Sequence, residues 1–498
     1  MGRALSDLQK LAKQVSIYGL SSLAGRFLNV LLVPLYTAYF TPEQYGLVSY
    51  VYVLIAIITV VVTQGMETAF FYFSRKREKV EEYLTTAFYS VGMLALPVAM
   101  ICWVFPSYLS KIASLEAANK LIQLGGIIVF FDAISAVAFA YLRFETKAKK
   151  FALVRLLGIG TNILLNLLLL IVVPWLCNKG WIFPFELSEP KIEVIFVANL
   201  ISSALVFWML KSIWWPRRNA FTFKNWKKMR AYGWPILLIG LAGMINETLD
   251  RLLLKERLTT EDPLFDIGVY SAFYKIAIVL SLFNQAFRYA VEPFFFENSE
   301  KGSKKNNKEL FNVYVILGTF FVVSISFFTP IFAKYLIQGN AYYKHPHALT
   351  IVPILLLSNL FLGMYFILSI WYKITNQNKF GLYISLSGAF LTVLLNYIFI
   401  PYFGIIAAAF TTMIVYLFML ISAWKFGNRY YPISYNLPKT IFHISFSSIV
   451  IFTFYQIFDF QNPLLWFYAF SAMVFYGLII WYLEGKNILI ALSKNRGH

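Results

Sequence analysis

Apolar residues along this chain gather into long unbroken runs, and short charged or polar stretches separate one run from the next. A helix rises 1.5 Å per residue, so about 20 consecutive apolar residues cross a hydrocarbon core about 30 Å thick. Runs of that length predict about fourteen helices, near residues 15–40, 46–73, 83–105, 120–142, 151–175, 193–214, 232–254, 266–292, 309–330, 348–372, 380–400, 404–424, 439–458 and 463–483. The connections are short, roughly twenty residues at the longest, and leave no room for a soluble domain. The pattern predicts an all-α polytopic membrane protein. The opening "MGRALSDLQKLAKQ" is charged and mildly amphipathic with no small-residue cleavage site behind it, so no removable signal peptide is expected.

Composition sharpens this picture. Of 498 residues, 59% are hydrophobic and 13% charged, where a soluble domain carries about a quarter charged. The net charge of +19 could suggest nucleic acid, but its distribution argues otherwise. With the N-terminus inside, one set of alternate loops holds thirty Lys and Arg residues and the opposite set eight. That asymmetry is the positive-inside bias, so both termini are expected to be cytoplasmic in the inner membrane. Basic runs such as "SRKREK" and "KGSKKNNK" then orient the helices beside lipid headgroups, and no recognised nucleic-acid reading module accompanies them. Cys102 and Cys177 lie far apart and read as apolar fillers; His345 and His347 flank Pro346 without the further ligands a metal site requires. No metal is expected.

The halves of the chain resemble each other. "NKFGLYISLSGAFLTVLLNYIFIP" (378–401) echoes "KKFALVRLLGIGTNILLNLLLLIVVP" (149–174), sharing Lys-Phe, a mid-helix Gly and Leu-Leu-Asn after one single-residue shift. More weakly, "YGLVSYVY" (45–52) matches "IGVYSAFY" (267–274). An even number of helices separates the copies, which predicts two parallel, pseudo-symmetric six-helix lobes and a terminal helix pair. The expected division is 1–214, a linker at 215–230, 231–427, and 428–498. Transporters built from such repeats place their site at the lobe interface and rock one lobe against the other. The linker region, with seven basic residues and three tryptophans in 211–230, suits either a segment lying in the inner interface or an ordinary charged connection.

Ten ionisable residues fall inside the apolar runs: Arg26, Arg155, Arg251, Lys275 and Arg288 against Glu67, Asp132, Glu247, Asp250 and Glu292. Each costs about 2.5–3.5 kcal/mol at the centre of a membrane helix on insertion scales, so the balance of five against five predicts compensation. Arg26, Asp132 and Lys275 are placed near mid-helix; Arg155, Arg288 and Glu292 lie near inner ends, where they could snorkel. Glu247 and Arg251 stand four apart and are expected to share a helix face, with Asp250 beside them. They read either as a structural ion pair or as one wall of a polar cavity. Arg26 also shares a face with Ser22 and Asn29.

At this point the motifs meet a family. "NETLDRLLL…IGVYSAFYKI", "AGRFLNVLLVPLYTAYFTPEQYGLVSYVYV" and "LLNYIFIPYFGIIAAAFTT" resemble the seventh and eighth, the first two, and the eleventh and twelfth helices of polysaccharide-biosynthesis transporters, the Wzx-type lipid-linked oligosaccharide flippases of the MOP superfamily. Ile406-Ala407-Ala408 replaces the usual Gly-Ala-Ala, which touches packing and not chemistry. The resemblance implies a MATE-like fold, and movement of an undecaprenyl-diphosphate-linked glycan from the inner to the outer leaflet. It makes the lipid-linked glycan and membrane lipids partners, and polysaccharide polymerase machinery a candidate one. A diphosphate needs cations, and the arginine fork fits phosphate oxygens. Arg26, Lys275 and Arg251 are the candidate ligands, with Arg155 and Arg288 as first contacts near the inner face. Asp132, Glu67, Glu247 and Asp250 are candidates for ion coupling or charge compensation. No G-x-x-x-x-G-K-[S/T] loop occurs, so an ion gradient (H+ or Na+) or the membrane potential is the expected energy source, without a cofactor. A drug or cation exporter of the same superfamily would favour a more acidic interior. A glycan polymerase or ligase would carry a large outer loop with clustered catalytic groups.

Overall fold

The computed structural model describes residues 19, 21, 23–25, 27, 28, 30–115, 118–179, 189–214, 221–300, 304–375, 377–458, 460 and 462–494, with the backbone alone at 289–300, 304–306 and 486–494. All regular structure among these residues is helical, and the chain divides into two compact units, Met1–Gly268 and Val269–His498. The first contains α1 (Val33–Tyr39), α2 (Pro42–Thr63), α3 (Met66–Phe73), α4 (Val80–Val104), α5 (Pro106–Ile112), α6 (Asn119–Phe144), α7 (Ala148–Leu167), α8 (Val173–Cys177), α9 (Glu193–Met209), α10 (Lys211–Trp214), α11 (Phe223–Arg257) and the start of α12 (Pro263–Glu300). The second holds the rest of α12, then α13 (Lys304–Leu336), α14 (Ile351–Leu368), α15 (Ile370–Ile374), α16 (Lys379–Tyr430), α17 (Leu437–Ile457) and α18 (Leu465–Lys494).

Ten helical stretches among the described residues are long and apolar enough to cross a membrane, so the protein is a multi-pass membrane protein. The expected tally of fourteen is not reached. Part of the first run (15–18, 20, 22, 26 and 29) lies outside the described residues, α9 is apolar but short, α11 holds too many polar residues, and α16 merges two expected helices. Residues 223–230 of the expected linker form the first turns of α11, and 215–220 lie outside the described residues. Large side chains such as Phe452 and Phe475 stand 66% exposed, as a surface solvated by lipid requires. Inside the first unit, Ala138, Phe139, Leu142, Phe151, Val154 and Leu210 form a buried cluster.

Local sequence sets the breaks. Thr41 and Gln44 form a reciprocal capping box at the start of α2, with Pro42 at the first helical position, where its missing N–H costs nothing. Gln64 and Gly65 both take left-handed conformations (φ 52° and 68°) and end α2 in the middle of its apolar run. There α11 crosses backbone to backbone: a Cβ on Gly65 would lie 2.7 Å from the Gly233 carbonyl oxygen, and one on Gly233 2.5 Å from that of Gln64. A second close approach joins the first turns of α2 and α12. A Cβ on Gly46 would lie 1.9 Å from the Leu264 oxygen, and one on Gly268 1.8 Å from the Pro42 oxygen. Gly46 and Gly268 are the paired glycines of the weaker internal repeat. In α16, Gly404 (φ 57°, ψ −136°) turns the chain from one apolar run straight into the next, three residues after Pro401.

The stronger repeat is visible in geometry. Asn166 and Asn396, the two Leu-Leu-Asn asparagines, are both fully buried. Each donates from Nδ2 to the carbonyl four residues back, Asn162 at 2.8 Å and Thr392 at 2.9 Å.

Candidate functional site

The break at Gln64–Gly65 has a chemical consequence. It starts α3 afresh, placing Glu67 in a helix's first turn, where the free N–H groups and the helix dipole favour a carboxylate. Gln64 holds the break by donating from Nε2 to the Ser90 carbonyl at 3.1 Å. Glu67 then meets Arg143, from the last turn of α6, at 2.8 Å, and the Arg143 guanidinium sits 5.5 Å from the Phe71 ring centre. Two turns along α7, Arg155 is exposed, lies 5.7 Å from the ring centre of Phe139, and is within electrostatic reach of both Glu67 and Asp132. Ser203 of α9 hydrogen-bonds Asp132. Ser203 also donates to Asn199 at 3.4 Å, and Asn199 donates to the Tyr52 hydroxyl at 3.1 Å. A polar seam thus runs from α2 through α9, α6 and α7 to α3.

A second polar contact lies on α7. The Tyr36 hydroxyl donates to Asn166 Oδ1 at 3.0 Å, tying α1 to α7. Directly after Asn166, Leu168–Val172 form a π turn, a distortion that recurs at functional sites because it re-aims side chains within a helix.

Of the expected residues, the structure brings Glu67, Asp132 and Arg155 together and adds Arg143. The acidic group on α11 is arranged differently from expectation. Arg251 pairs with Asp250, not with the Glu247 carboxylate: Nη1 lies 3.1 Å from Asp250 Oδ1, which also accepts the Arg251 amide at 2.8 Å. Glu247 contributes only its carbonyl, at 3.4 Å, and its side chain is exposed. The reason is local: Asp250 reaches the next residue's amide and guanidinium at once, a compact arrangement for two residues that are 4% and 7% exposed. Arg26, with Ser22 and Asn29, lies outside the described residues, as does the Glu292 side chain.

In the second unit, Lys275 is half-buried, and Arg288 lies over the Phe366 ring at 5.1 Å from its centre, within electrostatic reach of Tyr365. Nearby, buried Asn284 donates to the Asn359 carbonyl at 2.7 Å and accepts from Tyr314 at 2.7 Å. One buried charged group was not anticipated. Glu484 of α18 bonds Lys439 of α17 through Oε2 and faces His443 Nε2 at 3.2 Å through Oε1. His443 lies inside an apolar run, and Lys439 and Glu484 fall at the edges of theirs. Among the described residues no three His, Cys, Asp or Glu side chains are grouped to hold a metal.

Comparison with known proteins gives consistent matches. A family model described as polysaccharide biosynthesis protein matches residues 11–299, and one described as MatE matches 263–398. The Lsg locus putative protein 1 of Haemophilus influenzae is 21% identical over 295 residues, covering 58% of this chain and 66% of that protein. An uncharacterized membrane protein of the same organism is 22% identical over 304 residues, covering 59% and 67%. The chain thus spans about two thirds of the length of these relatives. Among solved structures, the lipid II flippase MurJ in an inward closed conformation superposes with a TM-score of 0.73 at 15% identity, covering 94% of this chain and 99% of that one. An inward-facing multidrug resistance MATE family transporter of the MOP superfamily gives 0.61 at 14% identity, covering 87% and 96%. At these identities the likeness is one of fold.

Proposed function

The chain belongs to the polysaccharide biosynthesis protein family, and we propose on that premise that it is a flippase. It carries an undecaprenyl-diphosphate-linked oligosaccharide from the inner to the outer leaflet by alternating access. The observation that supports this best is the seam around Arg155. An exposed arginine stands among helices built for lipid, with two carboxylates within electrostatic reach. A diphosphate head offers the arginine fork paired oxygens, as the carboxylates of Asp132 and Glu67 do, with more charge. Arrival of the head draws Arg155 from the carboxylates to phosphate. Asp132, relieved of that cation, then takes up H+ or Na+ while Glu67 stays paired with Arg143, and uptake at Asp132 couples the carried anion to an ion gradient. The ion-binding free energy available to drive the cycle is the difference between these two arrangements.

Lys275, Arg288 and Arg26 remain candidate diphosphate ligands on sequence grounds. Arg251 is assigned a structural role, because Asp250 engages it in a buried pair. Polysaccharide polymerase machinery would take the glycan on the far side. The match of the MatE model over residues 263–398 favours one other reading, export of organic cations.

Mass spectrometry of lipid retained by the purified protein distinguishes the two. The flippase reading expects a polyprenyl-diphosphate glycan that is lost in Arg155→Gln. Retention of no such lipid, together with efflux of organic cations from proteoliposomes, overturns it.

A further inference from the structure

A small cavity in the second unit lies between the first turn of α13 and the last turns of α14, α15 and α16. It leaves about 20 Å³ in which the centre of a water molecule fits. We propose that it holds one ordered water, which bridges the Asn307 side chain to the last turn of α16 and the connection after it.

Asn307 is fully buried, and neither its Nδ2 nor its Oδ1 has a hydrogen-bond partner among the described residues. Other buried asparagines are served: Asn166, Asn284, Asn359 and Asn396 each donate from Nδ2 to a carbonyl. An amide buried without any bond loses its hydration and gains nothing in return, so such groups are rare unless a water serves them. Leucine would fill the same space without that loss, yet an amide lines the cavity here.

The walls hold the cavity open. Trp371 lies along α16 because Gly427 has no side chain: a Cβ there would lie 2.9 Å from Trp371 Cδ1. The indole donates to the Ala423 carbonyl at 3.0 Å, so that donor is already used within the wall. Its ring stacks on Tyr430, 5.5 Å between centres and 1° from parallel. On the other side Phe311, one turn after Asn307, packs against Tyr435 at 4.9 Å between ring centres. Rings fixed at both ends keep the surrounding side chains from closing on Asn307.

Size and polarity select the occupant. One water needs about 10–15 Å³ by this measure, so the space takes one and excludes polar organic molecules. A buried water makes about two to four hydrogen bonds. Asn307 supplies donor and acceptor on one wall, and Asn428, Tyr431 and Tyr435 line the other. Asn428 also belongs to the last turn of α16, whose carbonyls have no partner further along the helix. A metal cation fits poorly, because no carboxylate lines the cavity among the described residues. A joint made through water re-forms after small shifts, where a direct bond between α13 and α16 would fix their spacing.

The test is a density map of the full-length protein in lipid nanodiscs in which ordered waters are resolved. The expected result is one peak within about 2.7–3.2 Å of the Asn307 amide and of a second polar atom from Asn428, Tyr431, Tyr435 or the α16 carbonyls. No peak there overturns the proposal, as does an Asn307 amide bonded directly to protein. A peak ringed by about six or more oxygens at about 2.3–2.6 Å marks a cation and overturns it too. Thermal melting of Asn307→Leu gives a second reading. Leucine matches the amide in size, removes the water's anchor and strands the polar groups opposite, so the melting temperature should fall by about 2–4 °C. A dry, unpartnered amide would instead gain from the replacement, so an unchanged or higher melting temperature overturns the proposal. If Asn307→Leu does not fold, the wild-type map decides alone.

Discussion

Replacing Gly268 with alanine sets a methyl carbon 1.8 Å from the Pro42 carbonyl oxygen and 2.6 Å from its carbon. Ordinary contact begins near 3.4 Å, so the first turns of α2 and α12 must retreat by about 1.6 Å. The obstructing atoms are main-chain, and no side-chain rotation relieves them. Pro42 O is moreover the carbonyl one helical turn before Gly46, so retreat strains the opening turn of α2. Overpacking of a well-packed contact costs about 1–3 kcal/mol, and an all-backbone obstruction belongs at the upper end. About 3 kcal/mol corresponds to about a 150-fold loss in the population that keeps the contact. Gly46→Ala meets the Leu264 oxygen at 1.9 Å and should behave alike. The double substitution should cost less than the sum, because either methyl already separates the same two turns.

Thermal unfolding of detergent-purified protein, followed by tryptophan fluorescence, reads this directly, with Gly92→Ala as the control. Gly92 has no neighbour within 4 Å of the added carbon. Alanine there should therefore stabilise by about 0.5–1 kcal/mol through helix propensity alone. Opposite signs at two helical glycines are the expected outcome. Gly268→Ala melting with wild type, or strictly additive losses in the double variant, would refute the close backbone approach.

Three further outcomes are expected. Gly404→Ala should destabilise by about 1–3 kcal/mol in the same melting assay, because φ 57° with ψ −136° is open only to glycine. Arg143→Ala should cost no more than about 1 kcal/mol, since its pair with Glu67 is one-third or more exposed, and adding Glu67→Gln should recover most of it; a larger loss would mean the pair is desolvated. Glu484→Gln leaves Lys439 beside His443 without its carboxylate in a mostly buried place and should cost about 3–5 kcal/mol, with Lys439→Met as the compensating change; melting within a degree of wild type would contradict the ion pairing.

The helices were legible because a membrane span announces itself by length and apolarity; in the stronger repeat, Asn166 and Asn396 are both buried and each donates to the carbonyl four residues back. The seam was only half legible. Asp132 and Glu67 stand out as acids in apolar runs, but Arg143 falls past the expected end of its run and reads as a loop cation; its pairing arises when Gln64 and Gly65 restart the helix before Glu67. Nothing in an apolar stretch marks glutamine for a left-handed conformation. On α11, spacing favoured Glu247 as the partner of Arg251, whereas adjacency won, because an aspartate can bond its neighbour's amide and guanidinium together. Whether a lone amide finds a partner also depends on distant chain: Asn166 Oδ1 accepts from Tyr36, whereas Asn396 Oδ1 has no hydrogen-bond partner among the described residues.

The turn at Gly404 bears on how this protein can vary and be handled. Most connections between elements absorb insertions because their backbone is exposed and makes few obligatory bonds. Here helix is assigned on both sides of a single glycine, with Tyr402 78% and Phe403 61% exposed beside it. There is no slack to lengthen. Relatives that share the turn should show a fixed spacing between these two apolar runs while other loops differ in length. An epitope tag, protease site or reporter inserted there would break the helix pair instead of reporting its sidedness. Labels for topology belong at the 74–79 or 431–436 connections, where the chain is not committed to a helix on both sides of one residue.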